Sequence, residues 1–306
     1  MYFCRPACFK SLRRFSSVTK FNFRDPLQLD KLLTEEEKEI REAARDFADK
    51  SLKPKVLDSF RHNTFDPNVH REIGQAGFFG VPFSGYGCRK ISNVAFGLIN
   101  KEFEKVDSNY RSAVSTQCTF VMTSIYNNGS EEMKSQWLPK LASGEYIGTY
   151  GVAEADSGFP NFMKTSVKDM GDHYLINGDK KFIRFASIAD MFLIIAFHEN
   201  GQMVCILVES GTEGVTVKPV NNSMCARGLD AGDIILDNVK VPKENLVFAK
   251  ESIIDENFHQ VLGIAWGAMG AAEACYETAR DYVIHRKQFD TPLSSNPIIQ
   301  QKLTDM

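Results

Sequence analysis

The sequence predicts an α+β fold: helices first, then an antiparallel sheet, then helices again. Three observations predict it. Apolar residues recur at helical spacing from about 30 to 142. From Glu145 the pattern changes to short β-branched and aromatic runs, and from about 251 helical spacing returns. Helices and strands kept in separate blocks argue against a doubly wound sheet. Neither GxGxxG nor GxxxxGK[ST] occurs, so Rossmann and P-loop nucleotide binding find no support.

The elements follow in order. Thr34 with Glu37 three residues on forms a capping box, and Ile40, Ala44, Phe47 and Ala48 then line one apolar face. DPNVHREIGQAG (66–77) offers Asp66 as cap, Pro67 in the first turn and Gly77 as stop. Helical runs at 94–106 and 112–126 follow, and SEEMKSQWLPKLASG (130–144) starts with a serine cap and two glutamates that suit the helix dipole. YIGTYGVAE, HYLI, KKFIRF, MFLIIAF, MVCILVE, VTVKPV and DIILDNVKV then read as strands. Asn177-Gly178 and Asn200-Gly201 mark hairpins, so 146–247 reads as a β domain. KKFIRFAS (180–187) reads as a strand carrying an odd charge, Arg184, beside the buried run at 191–197. The helix at 263–289 has small residues on one side, which permit close packing, and a last helical pattern occupies IIQQKLTDM.

Composition bounds the function. The first twenty residues carry five basic residues, several serines and no acid, the make-up of a mitochondrial transit peptide, with a basic nucleic-acid tail as the alternative. Without those five charges the formal net charge falls from −3 to −8, from 31 basic and 39 acidic residues, which speaks against a general nucleic-acid binder. No apolar run approaches the ~20 residues that span a bilayer. The seven cysteines form no CxxC pair and the six histidines no HExxH, which fits a reduced compartment and supplies no metal-site pattern.

Four segments carry a resemblance: GVAEADSG (151–158), INGDKKFI (176–183), NVKVPKENL (238–246) and ARDYVIHRKQFDTPL (279–293). Their order resembles that of the acyl-CoA dehydrogenases, from about residue 23 to 306. VDSNYRSAVSTQ (106–117), YNNGSEEMKSQWLPKLASGE (126–145) and GIAWGAMGAAE (263–273) look like glutaryl-CoA dehydrogenase in particular. Beyond the transit peptide that composition puts at 1–20, the resemblance implies an N-terminal helical domain at 21–145, a middle β domain at 146–247, and the start of a C-terminal helical bundle at 248–306. It also implies FAD as cofactor, since a flavin takes the β hydride while a glutamate removes the α proton. Implied further are oxidative decarboxylation of glutaryl-CoA to crotonyl-CoA in lysine and tryptophan breakdown, electron-transferring flavoprotein as acceptor, a homo-oligomer, and the mitochondrial matrix.

The implied site residues divide by role. Arg111 and Ser112 match the grip on the far carboxylate of the acyl tail; an arginine at a helix start in a structural ion pair is the other reading. Ser157 matches the loop along the flavin and thioester, with Glu154 and Gly158 beside it. Tyr150, Val152, Ala153, Phe182, Ile183 and Arg184 match flavin-lining positions. Arg286, Gln288 and Phe289 match the segment that reaches the FAD of a neighbouring subunit. Several positions depart from the family pattern. Ala153 and Arg184 stand where it has threonines, Phe182 replaces a tryptophan, Phe159 replaces a serine-aspartate pair, and Val261 and Pro297 replace an arginine and a glutamine. The family's catalytic glutamate is expected beyond Met306, so no residue here receives that role. A non-catalytic paralogue that binds acyl-CoA or acts as a scaffold is the alternative.

Overall fold

The computed structural model describes residues 22–80, 83–157, 162–221, 223–250 and 258–306. The basic leader at 1–20, Gly158 and Phe159 lie outside the described residues. The helical block comprises α1 (Glu35–Phe47), α2 (Val56–His62), α3 (Pro67–Gln75), α4 (Asn93–Glu104), α5 (Ser108–Ser115), α6 (Thr123–Asn128) and α7 (Glu131–Ala142). A π-helical stretch, Thr116–Met122, joins α5 to α6. The capping chemistry is as the sequence implies. Thr34 Oγ1 accepts from Glu37 N–H while Glu37 accepts from Thr34 N–H, and Asp66, Ser92 and Ser130 accept from the first turns of α3, α4 and α7. Ile40, Ala44 and Ala48 are buried along one side of α1 and its extension.

The sheet comprises β1 (Gly148–Gly151), β2 (Ser166–Asp169), β3 (His173–Ile183), β4 (Met191–His198), β5 (Met203–Glu209), β6 (Val215–Pro219), β7 (Gly232–Pro242) and β8 (Leu246–Lys250). Its order is β6-β7-β3-β2-β4-β5-β8. Strand β1 runs parallel to β4 along Met191–Ile194, and β2 runs parallel to the end of the same edge at Phe197–His198; the other pairs are antiparallel. Residues 191–196 are wholly buried, as a strand covered on both faces requires.

Two expectations are corrected. Asn177-Gly178 is not a hairpin but an irregularity inside the single strand β3, with Gly178 at φ 148°. A Cβ there would come within 2.5 Å of Thr165 Oγ1, so the glycine permits a close crossing. The β2–β3 turn instead falls at Gly171, where φ is 97°. KKFIRFAS is not one strand: β3 ends at Ile183, and Phe182 and Phe185 both have positive φ, 53° and 58°. Arg184 therefore sits in a turn, which frees its side chain from the sheet's alternation.

Helix α8 (Phe258–His285) lies against α4, followed by a short hairpin of β9 (Lys287–Gln288) and β10 (Thr291–Pro292), then α9 (Pro297–Asp305). The small residues do permit close packing. A Cβ on Gly97 would fall 2.4 Å from the Trp266 ring, and one on Gly270 would fall 2.2 Å from the Lys101 carbonyl oxygen. Among the described residues no helix is long and apolar enough to cross a membrane.

Candidate functional site

The site is built where the turn after β3 meets the N-terminus of α5. Asp107 caps that helix through Asn109 N–H, and the next turn brings in Tyr110, Arg111 and Ser112, all buried. Phe65 packs edge-on to Phe185 at 5.0 Å and against Tyr110 at 6.2 Å, so one ring couples the two elements. The stretch Arg227–Leu229 ties them again: Phe185 N–H donates to the Leu229 carbonyl, and Gly228 leaves room for the Asn109 amide. The turn that carries Arg184 and the helix that carries Arg111 are thereby held together, and the Arg111 charge is felt at Arg184.

Arg111 is 8% exposed. Its Nε donates to Glu104 Oε2 at 2.6 Å, from the last turn of α4, while its Nη1 is buried without a hydrogen-bond partner. Helix α8 covers the pair: a Cβ on Gly267 would lie 3.0 Å from the Glu104 carboxylate and 3.3 Å from Arg111 Nε. The ion pair of the structural reading is present, and Nη1 beside it has no partner.

Arg184 is partly buried. Its backbone carbonyl accepts from Thr149 Oγ1 at 2.6 Å, yet its guanidinium has no hydrogen bond or ion pair among the described residues. Burial lowers its pKa below the ordinary guanidinium value, and the neighbouring Arg111 charge lowers it further.

The remaining residues flank this centre. Tyr150 stacks on Phe120 at 5.1 Å, and Ile183 is buried. Phe182 is 72% exposed, its N–H donating to Asp233. Ala153 accepts through its carbonyl from Lys181 N–H, and the Glu154–Ser157 backbone closes a tight turn. Beneath them lies a pair that sequence reasoning missed. Lys180, 0% exposed, donates to Glu154 at 2.8 Å and to the Val152 carbonyl at 3.1 Å. Burial alone would raise the Glu154 pKa, but donors from Lys164 N–H, Lys180 and Thr165 bring it down to about 2. Glu154 is therefore a fixed anchor of the loop, not a free base. The signal was a lysine at an inward position of β3 opposite an acid three residues beyond β1.

Arg286, Gln288 and Phe289 occupy the exposed hairpin after α8, with Phe289 97% exposed. None has a hydrogen bond or ring contact to β1, β3 or α5 among the described residues. Glu273 lies elsewhere, on α8, where it bridges Lys101 and Lys105 of the helical block at 2.5 and 2.7 Å. Val261 is exposed on α8, and Pro297 opens α9.

Comparison with known proteins matches this architecture. Family models for the N-terminal, middle and C-terminal domains of acyl-CoA dehydrogenase match residues 34–145, 149–239 and 258–306. An acyl-CoA dehydrogenase of Bacillus subtilis is 30% identical over 289 residues, 90% of this chain and 75% of that protein. A glutaryl-CoA dehydrogenase of Desulfococcus multivorans is 27% identical over 293 residues, 91% of this chain and 75% of that one. The crystal structure of a glutaryl-CoA dehydrogenase from Mycobacterium smegmatis in complex with FADH2 superposes with TM-score 0.87 and 35% identity. It covers 91% of this chain and 73% of that chain. The chain belongs to the acyl-CoA dehydrogenase family, whose members are flavoprotein oxidoreductases, and glutaryl-CoA dehydrogenases are among its structural neighbours.

The side chains fit the family's flavin on one flank only. The exposed Phe182 ring is available as an apolar cover, but Ala153 offers no hydroxyl and Arg184 places a cation without a counter-ion where the family pattern has a threonine. At the ring edge the residues do not match.

Proposed function

We propose that this chain holds an acyl-CoA whose acyl tail ends in a carboxylate, as a glutaryl-CoA dehydrogenase-like protein. The observation that carries this reading is Arg111, buried against Glu104 with Nη1 free. A donor buried without a partner costs free energy, and an anionic tail that reaches it recovers that cost. Ser112 beside it, and Ser157 at the loop after β1, are the companion contacts to tail and thioester. The protein's own contribution is to orient the tail and exclude water around it.

In this reading the family chemistry would be oxidative decarboxylation of glutaryl-CoA to crotonyl-CoA, with FAD as hydride acceptor and electron-transferring flavoprotein downstream. Tyr150, Val152 and Phe182 would face the flavin. The hairpin with Arg286, Gln288 and Phe289 would reach into a second copy, making a homo-oligomer, and the basic leader would direct the protein to the mitochondrial matrix. Titration of glutaryl-CoA and butyryl-CoA into the purified protein tests the tail recognition. Glutaryl-CoA is expected to bind about tenfold more tightly or better, and Arg111→Lys to remove most of that difference. Equal affinities for the two thioesters contradict the reading.

A second reading, a paralogue that binds acyl-CoA without flavin chemistry, is favoured by Ala153 and Arg184. Absorbance of the purified protein near the flavin bands separates the two. Stoichiometric flavin supports the enzyme; protein that stays colourless after incubation with FAD, while still binding glutaryl-CoA, supports the paralogue.

A further inference from the structure

We propose that Arg184 is a second specificity-determining residue, and that its guanidinium and that of Arg111 grip one carboxylate between them. This rests on the reading of the Arg111 pocket as the acyl-tail site. Two like charges packed together are unfavourable unless something of opposite charge joins them. Here one of them is compensated and the other is not. Arg111 spends its Nε on Glu104, and Asp107, the other acid at this helix start, is turned to the Asn109 N–H at 2.8 Å. Arg184 has no acid at all among the described residues. Arg111 Nη1 is therefore a buried donor without an acceptor, and the half-buried Arg184 fork has no partner among the described residues.

The backbone holds them in this relation. Phe182 and Phe185 both adopt positive φ on either side of Arg184, and Thr149 Oγ1 fixes the Arg184 carbonyl. Phe185, Phe65 and Tyr110 then clamp the turn onto α5. Non-glycine residues at positive φ are disfavoured, so two within four positions mark a turn that its surroundings dictate. A carboxylate suits the gap because its two oxygens supply about four acceptor sites, enough for donors from two planar forks. A tail ending in methyl would leave Arg111 Nη1 without an acceptor and Arg184 without a counter-ion.

The test uses the full chain as wild type, Arg184→Gln and Arg184→Lys, with dissociation constants for glutaryl-CoA and butyryl-CoA and melting temperatures without ligand. Removal of an unbalanced cation is expected to leave the melting temperature of Arg184→Gln equal to or above that of wild type. A merely structural arginine would lower it. The preference for glutaryl-CoA over butyryl-CoA should fall about tenfold in Arg184→Gln, with butyryl-CoA affinity changed less than about twofold and Arg184→Lys in between. An unchanged preference in Arg184→Gln, beside a preference lost in Arg111→Lys, overturns the role of Arg184 and leaves the tail site standing. Wild type that prefers neither thioester overturns both. Thermal protection by inorganic phosphate but not by free glutarate would also sink the proposal, because the pair would then be a phosphate site.

Discussion

Arg111 joins an ion pair to an open donor, and its substitution should report both roles. Arg111→Ala strands the Glu104 carboxylate, whose side chain is 9% exposed, under α8. The expected loss is about 3–5 kcal/mol, the cost of breaking a buried pair on one side, read by urea unfolding. Glu104→Gln with Arg111→Ala should recover much of it. The Glu154–Lys180 pair adds a pH dependence. The folded pKa of Glu154, about 2, lies below its unfolded value, so its contribution is complete above roughly pH 4.5 and is lost as pH falls toward 2. Glu154→Gln should flatten the acid side of the stability profile in that window and lower stability at pH 7. A profile as steep as wild type would refute the anchor role. Arg111 was legible because the segment DSNYRS singles it out by resemblance. Its pairing with Glu104, seven residues back, was not, because it depends on how α4 and α5 meet, nor was the influence of Arg184, which comes from a turn far away in sequence. Arg184 was misplaced within a strand because positive φ at two phenylalanines is invisible to periodicity.

At the scale of elements, α4 and α8 meet through glycines. Gly270→Ala drives a Cβ to 2.2 Å from a backbone carbonyl, which cannot yield as a flexible side chain could. It should cost about 1–3 kcal/mol, visible as a lowered melting temperature, whereas alanine at the exposed turn residue Gly211, where nothing lies within 4 Å of the added Cβ, should cost little. On α3, His70 is fully buried against Phe79 at 4.5 Å, and burial takes its pKa down to about 3. The unfolded chain binds its proton near pH 6.5, so stability falls as pH drops from about 6.5 toward 3, by up to about 1.4 kcal/mol per pH unit. His70→Phe should weaken that slope in denaturant titrations. The capped helices and the buried run of β4 were readable from local chemistry. Strands β2 and β8 and helix α2 were not, because each is short and gains its stability from neighbours. Asn177-Gly178 misled because the dipeptide also suits a kink within a strand, and the crossing with Thr165 decides between them.

At the scale of the whole molecule, the helices-sheet-helices order was legible from the change of period and is the architecture of the acyl-CoA dehydrogenases. The ring edge of the flavin site was legible only as a set of departures. Arg184 stands out among them because it carries a charge without a partner among the described residues and feels the charge of Arg111. The exposed hairpin with Phe289 should make the protein a homo-oligomer, and Phe289→Ser should shift its mass toward smaller species in light scattering. The central claim is that the buried donor Arg111 Nη1, with the half-buried Arg184 guanidinium, receives a carboxylate tail. An experimental structure of the full chain with glutaryl-CoA tests it most directly. The tail carboxylate is expected within about 3 Å of Arg111 Nη1, with the Arg184 guanidinium on its other side. A tail lying elsewhere, with Nη1 still lacking a partner, would contradict it.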